Sequence, residues 1–404
     1  MKEKGIVGLN RLNKISKEAL CLLNKKHQED KELWKYTNIN IFDKIQINKS
    51  SKKNVGNLKV DSSPNEILVV NNKLINNPYN KVDVNDITKM LHGKPSFNEK
   101  IFNTIIPKKK NKFILYNTAY FDDGVVFNIP DNTKIKESLY INNIVNQKES
   151  KSYLNYRYLF SFGKNIKATI IIKDNDLSPT FLNSVYEIYV GENSRIDFII
   201  ESEKPKATQI LNFGGKIKAN STLNIYPINI SGKLLKNNYF INLNDENSSF
   251  NYYSINLLDN KDYIDNYIEI NHNNKHTISN TNQKSILNGQ SNSIFYSKAI
   301  INHNGEKSEA FQNNNNILLS SNAKVHSNPQ LEIYNNDVKC SHGSTTGQLD
   351  ENAIFYLRSR GISLKNAEKI LLNGFLNEIV ILMSDLSYGK NITKKVDEWL
   401  SNVN

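Results

Sequence analysis

Short runs of β-branched and aromatic residues alternate with Asn, Gly, Asp and Lys between about residues 113 and 339. Runs of this length and composition, bounded by turn-forming residues, predict β-strands. Clear examples lie at 185–190, 196–200, 223–230, 250–258 and 294–301. Helical segments do not alternate with these runs, so the pattern does not fit a doubly wound α/β fold. The middle of the chain is therefore predicted to be all β.

A loose repeat runs through this β region. Asn-Ser pairs at Asn193, Asn220 and Asn247 open three runs and stand 27 positions apart each time, and Asn292 and Asn322 begin similar runs later. A period between about 20 and 50 residues is typical of the stacked coils of a solenoid. An ordinary β-sandwich with coincidental spacing fits the pattern equally well, so both architectures stay open at this point.

Helical periodicity marks the two ends of the chain. Near the amino terminus, Leu20, Leu22 and Leu23 form an apolar patch at helical spacing, and Cys21 is predicted to lie in the core beside them. The chain therefore divides into an amino-terminal helical and irregular region, a β region and a carboxy-terminal helical region. Their predicted bounds are 1–112, 113–349 and 350–404.

The carboxy-terminal region carries local helix signals. Asp350 and Ser363 are candidate N-caps, and Gly361 is a candidate helix stop between them. A last amphipathic helix is predicted over 393–400. Such a small unit has little core of its own, so we expect it to pack on the β region, on a partner, or on both. The predicted buried stripe of its second helix consists of Leu371, Phe375, Ile379 and Leu382.

Composition and charge narrow the class of protein. Apolar residues make up 38% of the 404 residues, but 20 Tyr and 17 Phe favour a packed core over disorder. The net charge is +12, which raises the question of nucleic-acid binding. The lysines are scattered, however, and nucleic acid is not an expected partner. Their one cluster consists of Lys108, Lys109, Lys110 and Lys112.

The sequence excludes several further classes. Two cysteines 319 positions apart do not form a disulfide framework, and they indicate reducing, cytoplasmic surroundings, with a plastid-type organelle left open. No stretch approaches about 18 consecutive apolar residues, so no membrane span is expected. The amino terminus lacks the apolar core of a secretory signal. P-loop, H-E-x-x-H and C-x-x-C motifs do not occur in the sequence.

Cys340 and His342 are the most informative pair of residues. Two positions apart on a strand, they point to the same face and lie about 6.6–7 Å apart along the backbone. A thiolate beside an imidazole suits iron, zinc or copper, but one pair is too few ligands for a complete site. Further ligands must come from elsewhere in the chain or from another chain. The alternative is a small buried cysteine beside an ordinary histidine, and His272, His276 and His303 are predicted to be structural or exposed.

The residues around this pair resemble a known family. The run VKCSHGSTTGQLDENAIFYLRSRGIS at 338–363 is similar to the signature of the SufB/SufD family of iron–sulfur cluster assembly proteins. The Cys-Ser-His-Gly form looks like the D-type member. Further similar segments follow in the family's order at 32–37, 116–119, 123–124, 310–320 and 328–334.

The resemblance implies a fold and a function. The fold would be a right-handed parallel β-helix, a β-solenoid, flanked by amino- and carboxy-terminal helical domains. The chain would be a non-catalytic scaffold subunit that pairs with a B-type subunit and with an ABC-type ATPase, SufC. His342 and Cys340 would lie at the junction of the two scaffold subunits and hold iron or a nascent iron–sulfur cluster only transiently and together with the B-type partner. No cofactor is expected in the isolated chain, for which a homodimer stays open.

The resemblance also implies that the ATPase docks on the helical domain that begins near residue 350. Aromatic and arginine side chains, the types enriched at binding hot spots, occur there together. The candidate contacts are Phe355, Tyr356, Arg358 and Arg360. Two other interpretations stay open: the B-type paralogue of the same complex, and a β-helix protein that binds or cleaves carbohydrate.

Overall fold

The chain forms a β-solenoid of about 7 turns with helices at both ends. The computed structural model describes residues 2–24, 30–40, 65–92, 96–108, 110–121, 123–145, 153–176, 181–383 and 386–403. Its helices are α1 Lys2–Asn24, α2 Ile87–His92, α3 Phe97–Ile101, α4 Lys112–Tyr120, α5 Glu351–Ser359, α6 Leu364–Val380 and α7 Leu386–Val403.

β-Strand is the most abundant secondary structure, at 49%, as the runs of β-branched and aromatic residues predict. The strands are β1 Glu66–Val70, β2 Lys73–Asn76, β3 Asp83–Asp86, β4 Val125–Ile129, β5 Leu139–Val145, β6 Tyr153–Phe162, β7 Lys167–Asp176, β8 Phe181–Val190, β9 Arg195–Ile217, β10 Thr222–Leu243, β11 Ser249–Leu258, β12 Tyr263–His272, β13 Ile278–Leu287, β14 Asn292–Ile301, β15 Ser308–Leu318, β16 Lys324–Ile333 and β17 Val338–Gly347.

Parallel pairing arranges these strands in two facing stacks. The first stack runs through β1, β5, β7, the first half of β9, the first half of β10, β11, β13, β15 and β17. The second runs through β4, β6, β8, the second halves of β9 and β10, β12, β14 and β16. The chain thus alternates between the stacks once per coil. A solenoid is confirmed, and the sandwich alternative is wrong.

The repeat in the sequence marks one corner of the coil. Asn193, Asn220 and Asn247 adopt left-handed backbone conformations with φ of 54°, 55° and 57°. Asparagine tolerates this conformation better than most residues, which explains why it recurs there. In the next two coils, His276 and Lys307 take the same left-handed conformation. The N–H of each of these five residues donates to a carbonyl in the next coil, that of the residue just before the equivalent corner position. The five residues therefore form one continuous corner.

Two asparagines of the predicted repeat do not belong to this corner. Asn292 is the first residue of β14 itself, and Asn322 lies in the turn before β16, between the two stacks. They begin strands, as predicted, but strands of the second stack. The coil also lengthens along the chain, since paired positions are 27 residues apart between β10 and β11 and 30 apart between β15 and β17.

The two ends of the solenoid differ. At the amino-terminal end, the short strands β2 and β3 pair antiparallel with β1 and β4. The sheet therefore begins within the predicted amino-terminal region, ahead of residue 113. At the other end, β16 and β17 form the last coil, and many of their residues are exposed. The two ends of the solenoid are therefore structurally distinct, one with antiparallel strands and the other with an exposed parallel coil.

The carboxy-terminal helices cover the outer face of the first stack. Leu372, Leu376 and Ile379 pack with outward residues of the strands, among them Ile228 and Ile255. Asp350 and Ser363 cap α5 and α6 through bonds from the Asn352 and Asn366 N–H groups, and Gly361 follows α5 with φ of 83°, all as predicted.

The predicted stripe of α6 is wrong in part. Ile379 is buried, but Leu371 and Phe375 are half-buried and Leu382 is exposed beyond the end of the helix. The helix is apolar on more than one side, so several stripes fit its sequence. The last helix is also longer than predicted, since it begins at Leu386 and not near residue 393.

Two polar clusters fasten amino-terminal segments to the solenoid. The Arg157 Nη2 atom lies 2.6 Å from Glu187 Oε2, both side chains are fully buried, and the same carboxylate accepts bonds from the Asn103 and Ile105 N–H groups. Asn117 donates from its amide to the carbonyls of β6 and β8. This cluster holds the segment between α3 and α4 against the second stack.

The second cluster anchors residues 30–40 on the outer face of the second stack. Lys236 and Asp265 form a buried ion pair, with Nζ 2.9 Å from Oδ1, and the Thr37 hydroxyl donates to the same aspartate. Towards the last coil, the Tyr36 ring stacks on His326 of β16 with ring centroids 5.1 Å apart. The segment at 32–37 therefore packs against the solenoid of its own chain. Among the helices described above, none is long and apolar enough to cross a membrane.

Candidate cluster-ligating strand and docking surfaces

The strand β17 carries both residues of the candidate metal site. It pairs in parallel with β15, and no strand among the described residues pairs with its other edge. The Cα partners of Cys340 and His342 are Ala310 and Gln312. An edge strand leaves a row of N–H and C=O groups open to another chain. The candidate ligands thus lie on the last strand of the solenoid, most of whose residues are exposed.

Register shows which way these two side chains face. The register partners of His342 in the preceding coils are Gln312, Thr281 and Tyr252. The Tyr252 ring contacts the Tyr239 ring of the opposite stack, with centroids 5.0 Å apart. Contacts between the stacks are possible only across the interior of the coil. Cys340 and His342 therefore share the inward side of β17, and the prediction that they share a face is confirmed.

The surroundings of the two candidate ligands differ. Cys340 is half-buried, and this burial raises the pKa of its thiol, while a hydrogen bond with the backbone of Ala310 opposes part of the rise. His342 is exposed. Since a thiolate is the form that binds metal, Cys340 in the isolated chain is held in its less reactive state, whereas the imidazole is open to a ligand from outside.

Ligand counting agrees with an incomplete site. Within the part of the chain that the structure describes, no group of three or more His, Cys, Asp and Glu side chains could hold a metal ion. Thiolate and imidazole are suitable donors for iron, so Cys340 and His342 fit this metal in kind but not in number. A metal site that included these two residues would need further ligands.

The helix α5 follows β17 and presents a second surface. None of its residues is buried, and Phe355 and Tyr356 are 74% and 57% exposed. The Arg360 guanidinium lies over the Tyr356 ring, 5.0 Å from its centroid, and Arg358 is exposed beside them. Ala353, Ile354 and Leu357 of the same helix are half-buried. The exposed side of α5 is therefore aromatic and basic.

The remaining cysteine and histidines are placed as follows. Cys21 is exposed on α1, so its predicted place in the core is wrong, because the apolar neighbours Leu20 and Leu23 take the sides of the helix that face α4. His272 is buried between Thr277 and Ser279, to which its ring nitrogens are hydrogen-bonded at 2.8 Å. His276 takes a corner position, and His303 is exposed.

One group of residues beside the candidate ligands has no direct signal in the sequence. Gln312, Asn314 and Asn316 of β15 are buried and face the interior directly beneath β17. Their only signal in the sequence is alternation along an Asn-rich strand, which becomes informative once the offset of 30 residues between β15 and β17 is known.

Comparison with known proteins identifies this architecture. The profile described as SUF system FeS cluster assembly, SufBD core domain, matches residues 143–375, which is more than half of the chain. The chain belongs to the SufB/SufD family. The match runs from β5 into α6, so it includes the candidate ligands on β17 and the whole of α5.

Several named proteins are similar in sequence to this SufD-like chain. An iron–sulfur cluster assembly SufBD family protein of Synechocystis sp. is 28% identical over 275 residues, which cover 65% of this chain and 61% of that protein. The SufD protein of Escherichia coli is 27% identical over 256 residues, covering 62% of this chain and 60% of that protein. SufD of Plasmodium falciparum is 33% identical over 147 residues, 36% of this chain and 10% of that protein. The chain spans about three fifths of the length of the first two relatives.

Proposed function

We propose that the chain is a non-catalytic scaffold subunit of iron–sulfur cluster assembly that works with a B-type subunit and an ABC-type ATPase. The observation that carries this proposal is the position of Cys340 and His342 on the uncovered last strand of the solenoid. A ligand pair at an open sheet edge can be completed by a second chain that adds its own strand and its own ligands.

The open end is suited to pair with another solenoid of the same family. The strands β16 and β17 are each ten residues long, and their outer edges have no strand partner among the described residues. Main-chain hydrogen bonds at such an edge give affinity, and side chains give specificity. A B-type subunit bound here would bring its thiolates next to Cys340 and His342, where iron or a nascent cluster would be held as cargo. Cytoplasmic or plastid-type surroundings belong to the same proposal.

The ATPase would bind at α5. Phe355, Tyr356, Arg358 and Arg360 are of the residue types that dominate binding energies at interfaces, and burial within the described chain does not use them. Because α5 follows β17 after three residues, movement of a bound ATPase would be transmitted directly to the strand with the candidate ligands.

The alternatives are less well supported by the same observations. A B-type paralogue is expected to carry cysteine within the β core, and this sequence has none between Cys21 and Cys340. A carbohydrate-binding solenoid needs an exposed row of aromatic side chains. The strand tyrosines here, such as Tyr226, Tyr239 and Tyr252, are buried instead.

Copurification under anaerobic conditions tests the proposal. The tagged full-length chain, coexpressed with the B-type subunit and the ATPase of its source, should elute as one complex that contains iron and sulfide. The chain expressed alone should contain neither in stoichiometric amounts, because two ligands cannot hold a cluster. A stoichiometric cluster on the isolated chain, or failure to bind either partner, would contradict the proposal.

A further inference from the structure

The interior of the solenoid changes character along its length. At one register position the inward residues of successive coils are Ile170, Phe198, Ile225, Tyr252, Thr281, Gln312 and His342. The first four are large and apolar or aromatic, and the last three are polar. At this position the earlier coils are therefore filled by apolar and aromatic side chains, whereas the coils beneath β17 are polar.

At three inward positions of the polar coils, the side chain is smaller than in the coil before. Phe250 and Tyr252 of β11 are followed one coil later by Ser279 and Thr281. On the opposite stack, Ile268 of β12 pairs with a serine, Ser297. The coil diameter is set by the backbone, which continues in register through these strands. These three positions therefore contribute less side-chain volume to the interior than their register partners in the coil before.

Several of these inward groups have no hydrogen-bond partner. They are the Thr281 and Ser297 hydroxyls, the Gln312 Oε1 and Asn316 Oδ1 atoms, and both the oxygen and the nitrogen of the Asn314 amide. All five side chains are 2% exposed or less. A buried polar group without a partner costs about 1–3 kcal/mol. Six such atoms in one region would lower the free energy of unfolding considerably, unless another molecule lies between them and forms hydrogen bonds with them.

The chemistry of the lining indicates what this occupant is. The described inward side chains of β11–β16 carry no charge, because burial lowers the pKa of His272 to about 4 and raises the pKa of the Tyr252 hydroxyl above its ordinary value. An ion would lose its hydration without gaining a counter-charge, which is strongly unfavourable. Water both donates and accepts hydrogen bonds and is neutral, so it satisfies hydroxyls, amide oxygens and amide nitrogens alike.

We propose that Thr281, Ser297, Gln312, Asn314 and Asn316 form an internal water-binding site in the last coils of the solenoid. Water molecules in this site bond to the six unpartnered atoms. The site lies one strand spacing beneath the candidate ligands, because Gln312 is the register partner of His342 and Asn314 that of Ser344. The interior behind β17 is thus hydrated.

Substitutions that remove one polar group without changing its shape test the site in the full-length chain. Thr281→Val and Asn314→Leu should each lower the midpoint of thermal unfolding by about 2 °C, because bound water loses a partner and its other bonds weaken. If these coils are dry, both substitutions would remove an unpaired polar group and raise the midpoint. An increase or an unchanged midpoint in both variants would overturn the proposal.

Asn256→Leu is the matched control. Its amide donates to the Ser285 hydroxyl at 3.1 Å and accepts from Asn229 at 2.8 Å, so its loss lowers the midpoint whether or not the interior holds water. It therefore calibrates the size of the effect. A crystal structure at high resolution gives the second measurement. Ordered water within hydrogen-bond distance of the Asn314 amide supports the site, and an empty or side-chain-filled interior refutes it.

Discussion

His342 and Cys340 occupy alternate positions of one strand but are held differently. The histidine is exposed at the open end, while the cysteine is half-buried against Ala310. The exposed group can turn towards a partner at little cost, whereas the thiol must first lose a proton in surroundings that oppose the thiolate. This contrast makes His342 the better candidate for first contact with iron.

Replacement of His342 tests this role. His342→Ala should leave the unfolding transition and complex formation unchanged, because an exposed strand residue contributes little to stability. The iron content of the anaerobically purified complex should fall severalfold. Ser341→Ala is the matched control, since Ser341 is the exposed neighbour on the opposite face of β17. Equal iron contents in the two variants would remove His342 from the site.

The raised pKa of Cys340 predicts slow alkylation. At pH 7 a thiol of raised pKa has a smaller thiolate fraction than the same thiol in the unfolded chain, and the thiolate is the reactive form. In a Cys21→Ser background, iodoacetamide should therefore modify native Cys340 more slowly than Cys340 in urea. The ratio of the two rates should shrink as pH rises above both pKa values. Faster alkylation of the native chain would show that the thiol is activated.

The buried pair of Arg157 and Glu187 predicts a large loss of stability. Glu187→Gln removes the charge that compensates Arg157 inside the protein, so the free energy of unfolding should fall by about 3–5 kcal/mol. Denaturant titration of the full chain measures it. Glu192→Gln is the control, because Glu192 pairs with Lys164 at the surface and should show no measurable change. Similar losses in both variants would contradict the assignment.

At the scale of elements, α5 is the clearest candidate for a docking surface. Removal of residues 350–404 would also remove α6 and α7 from the first stack, which would expose Ile228 and Ile255. Substitutions within α5 therefore separate binding from folding better than a deletion. Phe355 and Arg358 are suitable positions, since α5 has no buried residue whose loss would disturb the solenoid.

Phe355→Ala combined with Arg358→Glu should weaken ATPase binding at least tenfold while circular dichroism and thermal unfolding stay unchanged. The physical reason is that an aromatic anchor and a basic group are removed from an exposed helix. Lys394→Ala on α7 is the control, because Lys394 is exposed on a different helix. Calorimetric titration with the ATPase measures the affinity. Undiminished affinity in the double variant would exclude α5 as the docking element.

Much of the solenoid is predictable from its sequence, and the reasons are local. Left-handed corners favour asparagine, so Asn193, Asn220 and Asn247 reveal the coil. The signal fades at His276 and Lys307, where other residues take the same conformation and the coil lengthens. Alternation also places Cys340 and His342 on one face. No local pattern shows that β17 is the last strand, because this depends on which other strands pair with it.

The elements that the sequence predicted less well are those defined by distant contacts. The apolar sides of α6 allow several stripes, and only contact with Ile228 and Ile255 selects Leu372 and Leu376. The segment at 32–37 has no periodicity of its own. Its position follows from Thr37 and Asp265, which lie 228 residues apart in sequence and meet beside the buried Lys236.

At the scale of the whole molecule, the antiparallel cap at one end and the exposed coil at the other make the chain a terminated stack. Each coil contacts mainly its neighbours, as expected for a repeat protein. The short antiparallel strands at one end do not continue the two parallel stacks, whereas β16 and β17 do and so offer their edges to strand pairing with another chain. Self-association of the isolated chain, if it occurs, should use this same end.

The regular stacking of coils also means that the number of coils sets the length of the solenoid. Each coil adds one strand spacing of about 4.8 Å, so about 7 turns place the cap and the open end roughly 34 Å apart. Substitutions within a coil leave this length unchanged, whereas gain or loss of one whole coil would shift everything bound at one end relative to the other by a fixed step. Selection on the size of an assembly built around this chain would therefore act on the number of coils, and drift in their sequence would be tolerated.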